Sequence, residues 1–162
     1  MKEYEYSFKV LDILPYIEYC KNNEYILKEK TSQTRVLYRN INKIMARITT
    51  KKKGDVKKII LDFKDDNKSE DVLKVSRETL PLEISDSNLD AIYSILDMLE
   101  YKKDITLIRD RIVYEKDNVT FELDIYSSPE KMYVVAIEGK KDKVDNVYNS
   151  LTNVIKKTTK SE

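Results

Sequence analysis

The sequence predicts an α+β fold built mainly on antiparallel strands, with helices packed against them. Two observations carry this. Segments in which apolar and charged residues alternate with a period of two recur along the 162-residue chain, and that alternation marks strands with one buried and one polar face. By contrast, only three segments carry apolar residues at helical spacing.

Residues 1–10 (MKEYEYSFKV) set Tyr4, Tyr6, Phe8 and Val10 on one side of an extended chain and Glu3, Glu5, Ser7 and Lys9 on the other. Residues 11–23 then form a short helix on Leu11, Leu14, Ile17 and Tyr19, with Pro15 in its first turns, ending at Asn22 and Asn23. Residues 32–39 read as extended, and 43–51 with 57–64 as a hairpin about the Gly54 turn. In that hairpin Met45, Arg47, Thr49 and Lys51 oppose Ile44, Ala46 and Ile48, while Ile60, Asp62 and Lys64 oppose Ile59, Leu61 and Phe63.

Residues 65–71 read as a loop, and 72–84 as one or two short strands interrupted by Pro81. The clearest helix follows, with Ser85, Asp86 and Ser87 as candidate caps and Leu89, Ile92, Ile95, Leu96 and Leu99 at helical spacing to Tyr101. A three-strand meander occupies 105–114, 119–126 and 132–139, with Arg109, Arg111, Glu122, Asp124 and Glu138 on polar faces. A last amphipathic helix spans 141–157 on Val144, Val147, Leu151, Val154 and Ile155. The length suits one domain, 1–157, with a frayed tail at 158–162.

The composition excludes several kinds of chemistry. With no histidine, His bases, Ser-His-Asp triads and imidazole metal sites are unavailable. Two glycines, Gly54 and Gly139, cannot write a P-loop or a dinucleotide fingerprint. For metals, carboxylate oxygen remains, which suits Mg²⁺, Mn²⁺ or Ca²⁺. Thirty basic against 29 acidic residues leave a net charge of +1, so no bulk field attracts nucleic acid or an anionic membrane. Lys51, Lys52 and Lys53 read as a solvated turn, and Tyr4, Tyr6, Tyr38, Tyr114 and Tyr133 as packing residues rather than base-stacking platforms. The lone Cys20 fits a reducing cytoplasm, and no apolar run approaches the length that spans a bilayer. A cytoplasmic monomer or homodimer is expected.

Two architectures satisfy such strands. An open antiparallel sheet can pack its apolar face on helices and turn its charges to water. Alternatively, the sheet closes with helices outside and charges inside a polar lumen. Like charges two residues apart (Glu3 with Glu5, Arg109 with Arg111, Glu122 with Asp124) repel along a strand and favour the second, where a polyanion and a divalent cation would satisfy both sets.

Six short segments, in order, resemble the CYTH family, the triphosphate tunnel metalloenzymes that include class IV adenylate cyclases, thiamine triphosphatases and inorganic tripolyphosphatases. EYEYSF (3–8) resembles the opening ExExKF, with Ser7 in the lysine position. ARIT (46–49) resembles LRIR, with Arg47 kept and Thr49 in place of the second arginine; LDFK (61–64) resembles LTYK and keeps Lys64. RDRIVY (109–114) resembles KxRxxY, FELD (121–124) keeps Asp124, and VAIEG (135–139) resembles EIEG, with Glu138 kept and Ala136 in place of the first glutamate.

The resemblance covers about residues 3–155. It implies a closed eight-stranded antiparallel β-barrel, a tunnel with a charged interior and flanking helices. It also implies hydrolysis of a triphosphate compound with Mg²⁺ or Mn²⁺. Glu3, Glu5 and Glu138, with Asp124 or Glu122, would then hold metal, and Lys9, Arg47, Lys64, Arg109 and Arg111 would hold phosphate. Glu3, Glu5, Lys9 and Arg111 are the expected catalytic set, with Lys9 standing in for the lysine replaced by Ser7 and Glu122 for the glutamate replaced by Ala136. Ser7, Thr49 and Ala136 also admit a tunnel that binds a phosphorylated ligand without turnover, and adenylate cyclase activity is a lesser alternative.

Overall fold

A computed structural model describes residues 2–65 and 73–159. Most of the loop expected at 65–71 and the end of the expected tail therefore lie outside the described residues. Nine strands form one antiparallel sheet: β1 (Lys2–Val10), β2 (Ile26–Arg39), β3 (Ile44–Lys53), β4 (Val56–Asp65), β5 (Leu73–Arg77), β6 (Leu82–Ile84), β7 (Lys102–Lys116), β8 (Val119–Ser128) and β9 (Met132–Gly139). The described helices are α1 (Leu14–Asn22), α2 (Leu89–Met98), α3 (Lys141–Ser150) and α4 (Thr152–Thr158).

The strand order is β5-β1-β9-β8-β7-β2-β3-β4-β6, so β5 and β6 are the edges and the ladder is not closed. The expected closed barrel of eight strands is thus corrected to an open ladder of nine. Its reason is local. β5 pairs with β1 and β6 with β4, and the chain between them contains Pro81, which has no N–H to extend a ladder. Across this seam, among the described residues, lie an isolated bridge between Lys64 and Glu78 and a hydrogen bond from the Thr79 N–H to the Phe63 carbonyl at 2.9 Å.

The alternation sends apolar side chains outward to the helices and charged ones inward. One core cluster joins α1, α3 and α4 to β1, β8 and β9 through Tyr16, Phe121, Leu123, Val135, Ile137, Val144 and Leu151. A second sets Leu96 of α2 on Ala46, Ile48, Ile59, Leu61 and Ile84. No helix among the described residues is long and apolar enough to cross a membrane.

Two differences from the sequence-based boundaries have identifiable causes. β2 begins at Ile26 because ILKEKT, rich in residues with poor strand propensity, is held along β7 by pairs from Ile26↔Glu115 to Thr31↔Arg111. The last helix divides at Leu151: Ser150 Oγ donates to the Val147 carbonyl and Thr152 Oγ1 to the Asn149 carbonyl, each at 2.7 Å, so side chains take carbonyls the helix would otherwise use. The break seats Leu151 fully in the core and lets α4 carry Thr158 to a buried 2.6 Å hydrogen bond with the Tyr16 hydroxyl.

A charged cleft as candidate functional site

The inward faces enclose a cleft of about 490 Å³ lined by residues from every strand except β6. Nine of the ten expected site residues line it: Glu3, Glu5, Arg47, Lys64, Arg109, Arg111, Glu122, Asp124 and Glu138. Lys9 does not. Its side chain is 69% exposed with Nζ 3.8 Å from Glu130 Oε1, so it does not occupy the place left by Ser7, which does line the cleft. Two further residues along a strand carry Lys9 about 7 Å past Ser7, toward the β8–β9 turn and out of the lumen.

Most of the cations are tied to carboxylates. Arg47 donates to Asp62 through Nε at 2.9 Å and Nη2 at 2.6 Å, and to Glu78 at 3.1 Å. Arg111 makes the same forked contact with Asp124 at 2.7 and 2.8 Å and pairs with Glu122 at 3.2 Å. Burial opposes charge on both arginines, but the carboxylates outweigh it and hold both guanidinium groups above their ordinary pKa. Lys64 lies 3.5 Å from both Glu5 and Glu78.

Arg109 and Arg35 differ. Buried Arg109 is held by Gln33 Oε1 at 3.0 and 2.9 Å and by the Tyr126 hydroxyl at 2.8 Å, all neutral, with Asp124 only at 3.9 Å. Arg35 donates through Nε to Thr49 Oγ1 at 2.8 Å, and among the described residues no carboxylate lies within ion-pair distance of it.

The carboxylates crowd one another. Glu5 and Glu138 are directly opposite across β1 and β9, where like charges repel. Glu3 is pushed from 4.5 up to about 7 by burial, by a hydrogen bond to Glu78 and by the Glu78 charge. Glu138 is raised well above the carboxylate range by burial and by Glu122, Glu5 and Glu3. Burial works against ionisation of Glu78 and Glu122 as well, yet both end below the usual value, Glu78 chiefly through Arg47 and Glu122 through Arg111, Arg109 and Arg35. These shifts favour a proton on Glu3, beside Glu78, and on Glu138, beside Glu122.

An all-oxygen donor set suits a hard divalent cation. As arranged, however, no group of three or more acidic or Cys side chains among the described residues converges on one point. A cation entering here would take the place of the shared protons, with Glu3, Glu5, Glu122 and Glu138 as the donors within reach of one another's charge.

Sequence reasoning missed Arg35, Gln33, Glu78 and Tyr126 as members of the site. Gln33, Arg35 and Leu37 share one face of β2, on which Arg35 and Leu37 line the cleft and Gln33 holds Arg109, a signal present in the alternation of SQTRVLYR once its buried face is known. Glu78 carried no such signal, since it follows a short edge strand and meets Arg47 only through the seam.

No protein-family model matches the sequence, and no curated protein matches it significantly. Solved structures do. A conserved hypothetical protein from Pyrococcus furiosus is 21% identical with a TM-score of 0.69, covering 95% of this chain and 88% of that one. A chain of the Schizosaccharomyces pombe Mediator head module is 9% identical with a TM-score of 0.64, over 96% and 94% of the two chains. A candidate adenylate cyclase from Bacillus halodurans is 14% identical with a TM-score of 0.60, over 99% and 94%. At such identities the likeness is one of fold alone.

Proposed function

We propose that the protein binds a triphosphate compound in the charged cleft and hydrolyses it with the help of Mg²⁺ or Mn²⁺, in a reducing cytoplasm. One observation carries this reading: Arg35, Arg47, Arg109, Arg111 and Lys64 face the same 490 Å³ space as the crowded carboxylates Glu3, Glu5 and Glu138. Phosphoryl transfer from a triphosphate is mainly positioning and charge neutralisation, so a cage of this composition suffices without a covalent nucleophile. Glu3, Glu5, Glu122 and Glu138 would hold the cation, and Asp124, fixed by Arg111, would flank them. When bound, the cation neutralises phosphate charge and makes its water more acidic. The arginines orient the phosphate chain, and the surrounding sheet limits access of bulk water.

A second reading is binding without turnover. It is favoured by Ser7 and Ala136, which place no charge where the family pattern has a lysine and a glutamate, and by carboxylates that share protons in pairs. Adenylate cyclase activity is a lesser variant of the same site, supported by the fold likeness to a candidate cyclase. Phosphate release from tripolyphosphate, ATP and thiamine triphosphate, with and without Mn²⁺, separates these readings. Metal-dependent release that is lost in Glu5→Ala supports hydrolysis; no release from any substrate, or a Glu5→Ala rate equal to wild type, overturns it. Formation of cyclic AMP with pyrophosphate from ATP would assign the cyclase instead.

A further inference from the structure

The basic residues of the cleft fall into two electrostatic classes. Arg47, Arg111 and Lys64 each contact two carboxylates, so much of their charge is already spent within the protein. Arg35 and Arg109 are instead oriented by Thr49, Gln33 and Tyr126, which carry no charge, and the carboxylate nearest Arg109, Asp124, stands off at 3.9 Å. Thr49 stands directly opposite Arg35 in the β2–β3 ladder, and Gln33 and Tyr126 stand on either side of Arg109 in the β2–β7 and β7–β8 ladders. Each neutral partner thus fills the cross-strand position from which a carboxylate would have neutralised the arginine.

We infer that Arg35, supported by Arg109, is the primary anchor for phosphate in this cleft, and that Thr49 and Gln33 serve to orient the two guanidinium groups while leaving their charge available. The inference deepens the proposed function and rests on the cleft being a phosphate site, but not on turnover. The physical argument is one of stability. A guanidinium partly withdrawn from water with no carboxylate in direct contact destabilises the empty protein. Arg35 is held well below its ordinary pKa by burial and by the charges of Arg109, Arg47 and Arg111. A purely structural role would be met better by a neutral side chain, or by a carboxylate at position 49. A phosphate chain with several negative charges relieves this repulsion on binding, through charge-assisted hydrogen bonds that rank among the strong ones. Arg35 also restores the guanidinium that Thr49 lacks relative to the family pattern, from the residue directly across the ladder.

The test is calorimetric titration of the purified protein with inorganic tripolyphosphate in the presence of a metal chelator, alongside thermal melts and phosphate-release assays. Two variants are used. Arg35→Gln removes the charge; Thr49→Asp keeps Arg35 and supplies the missing carboxylate. Both should lose affinity by about 10- to 100-fold. Both should also melt at or above the wild-type temperature, by up to about 4 °C. A cross-strand hydrogen bond of merely structural value would instead give lower melting temperatures. Wild-type affinity in both variants, or affinity loss that only tracks lower melting temperatures, overturns the inference and leaves the triphosphate reading intact. Binding by the wild type that both variants weaken, with no phosphate release when Mn²⁺ is restored, overturns hydrolysis and supports the anchor. Failure of the wild type to bind under chelator overturns the anchor, and failure to bind with Mn²⁺ restored as well overturns the triphosphate reading.

Discussion

Glu5 of β1 and Glu138 of β9 occupy directly opposed positions in one antiparallel ladder, and both side chains line the cleft. Opposed like charges destabilise a sheet unless something neutralises them. Burial and the neighbouring carboxylates favour the neutral form of Glu138, and Lys64 stands 3.5 Å from Glu5. A neighbouring relationship follows the same logic: Glu122 is opposite Ala136, so a carboxylate missing from β9 is present on the adjoining strand and shares the Glu138 proton. Burial and mutual repulsion thus favour protons on Glu3 and Glu138.

Stability should therefore fall between pH 4.5 and about 7. In that interval folded Glu3 retains a proton that the unfolded chain has released, so the folded state binds more protons and loses stability as pH rises. Glu78 has the opposite sign: its lowered pKa gives stability that is fully present above the ordinary carboxylate value and is lost only as pH falls below it, outside this interval. Thermal melts from pH 5 to 8 should show a decline of several degrees for wild type and a shallower one for Glu3→Gln. Equal slopes in the two proteins would remove Glu3 as the cause.

Glu138→Gln should raise the melting temperature at pH 8 in the absence of metal, because an amide donates to Glu122 without needing a proton, a gain of about 1 kcal/mol. The same substitution should diminish the stabilisation by Mn²⁺ or Mg²⁺, which for wild type reaches about 2.7 kcal/mol at a hundredfold excess over the dissociation constant. Cation-induced shifts of equal size in both proteins would exclude Glu138 from cation binding.

Arg47→Met should cost about 3 kcal/mol in chemical denaturation, since it leaves Asp62 and Glu78 facing the cleft without their cation. The double replacement Arg47→Met with Asp62→Leu should recover part of this loss. A single variant within about 0.5 kcal/mol of wild type would mean that the pairing is screened by solvent in the cleft.

Gly139→Ala should destabilise by about 2 kcal/mol or more. Gly139 has φ +155, and a Cβ there would lie 2.8 Å from the Asn118 carbonyl oxygen and 3.4 Å from Val144 Cγ1. Because Glu138 precedes it, the readout extends beyond melting: cation-induced stabilisation should weaken with it. Unchanged melting would show that the β9 terminus can shift without cost.

Lys9→Ala should alter tripolyphosphate affinity by less than about twofold and stability by less than about 0.5 kcal/mol, as for an exposed ion pair. A tenfold loss of affinity would return Lys9 to the site despite its outward position.

The chain by itself determined the inward or outward direction of most side chains, because period-two alternation is a local property of a strand. Glu3, Glu5, Arg47, Lys64, Arg109, Arg111, Glu122, Asp124 and Glu138 were all legible in this way, and all line one cleft. Tertiary structure alone decided which of them meet. Arg109 finds Gln33 across 76 residues of sequence, and Arg47 finds Glu78 across 31, through ladders and a seam that no local pattern encodes. It also decided that Lys9 leaves the lumen, that nine strands form a ladder open between β5 and β6, and that Arg35 faces threonine rather than carboxylate. These outcomes depend on strand register. Register is fixed by the sum of many distant contacts, so a residue's face can be read from its neighbours in sequence but its partner cannot.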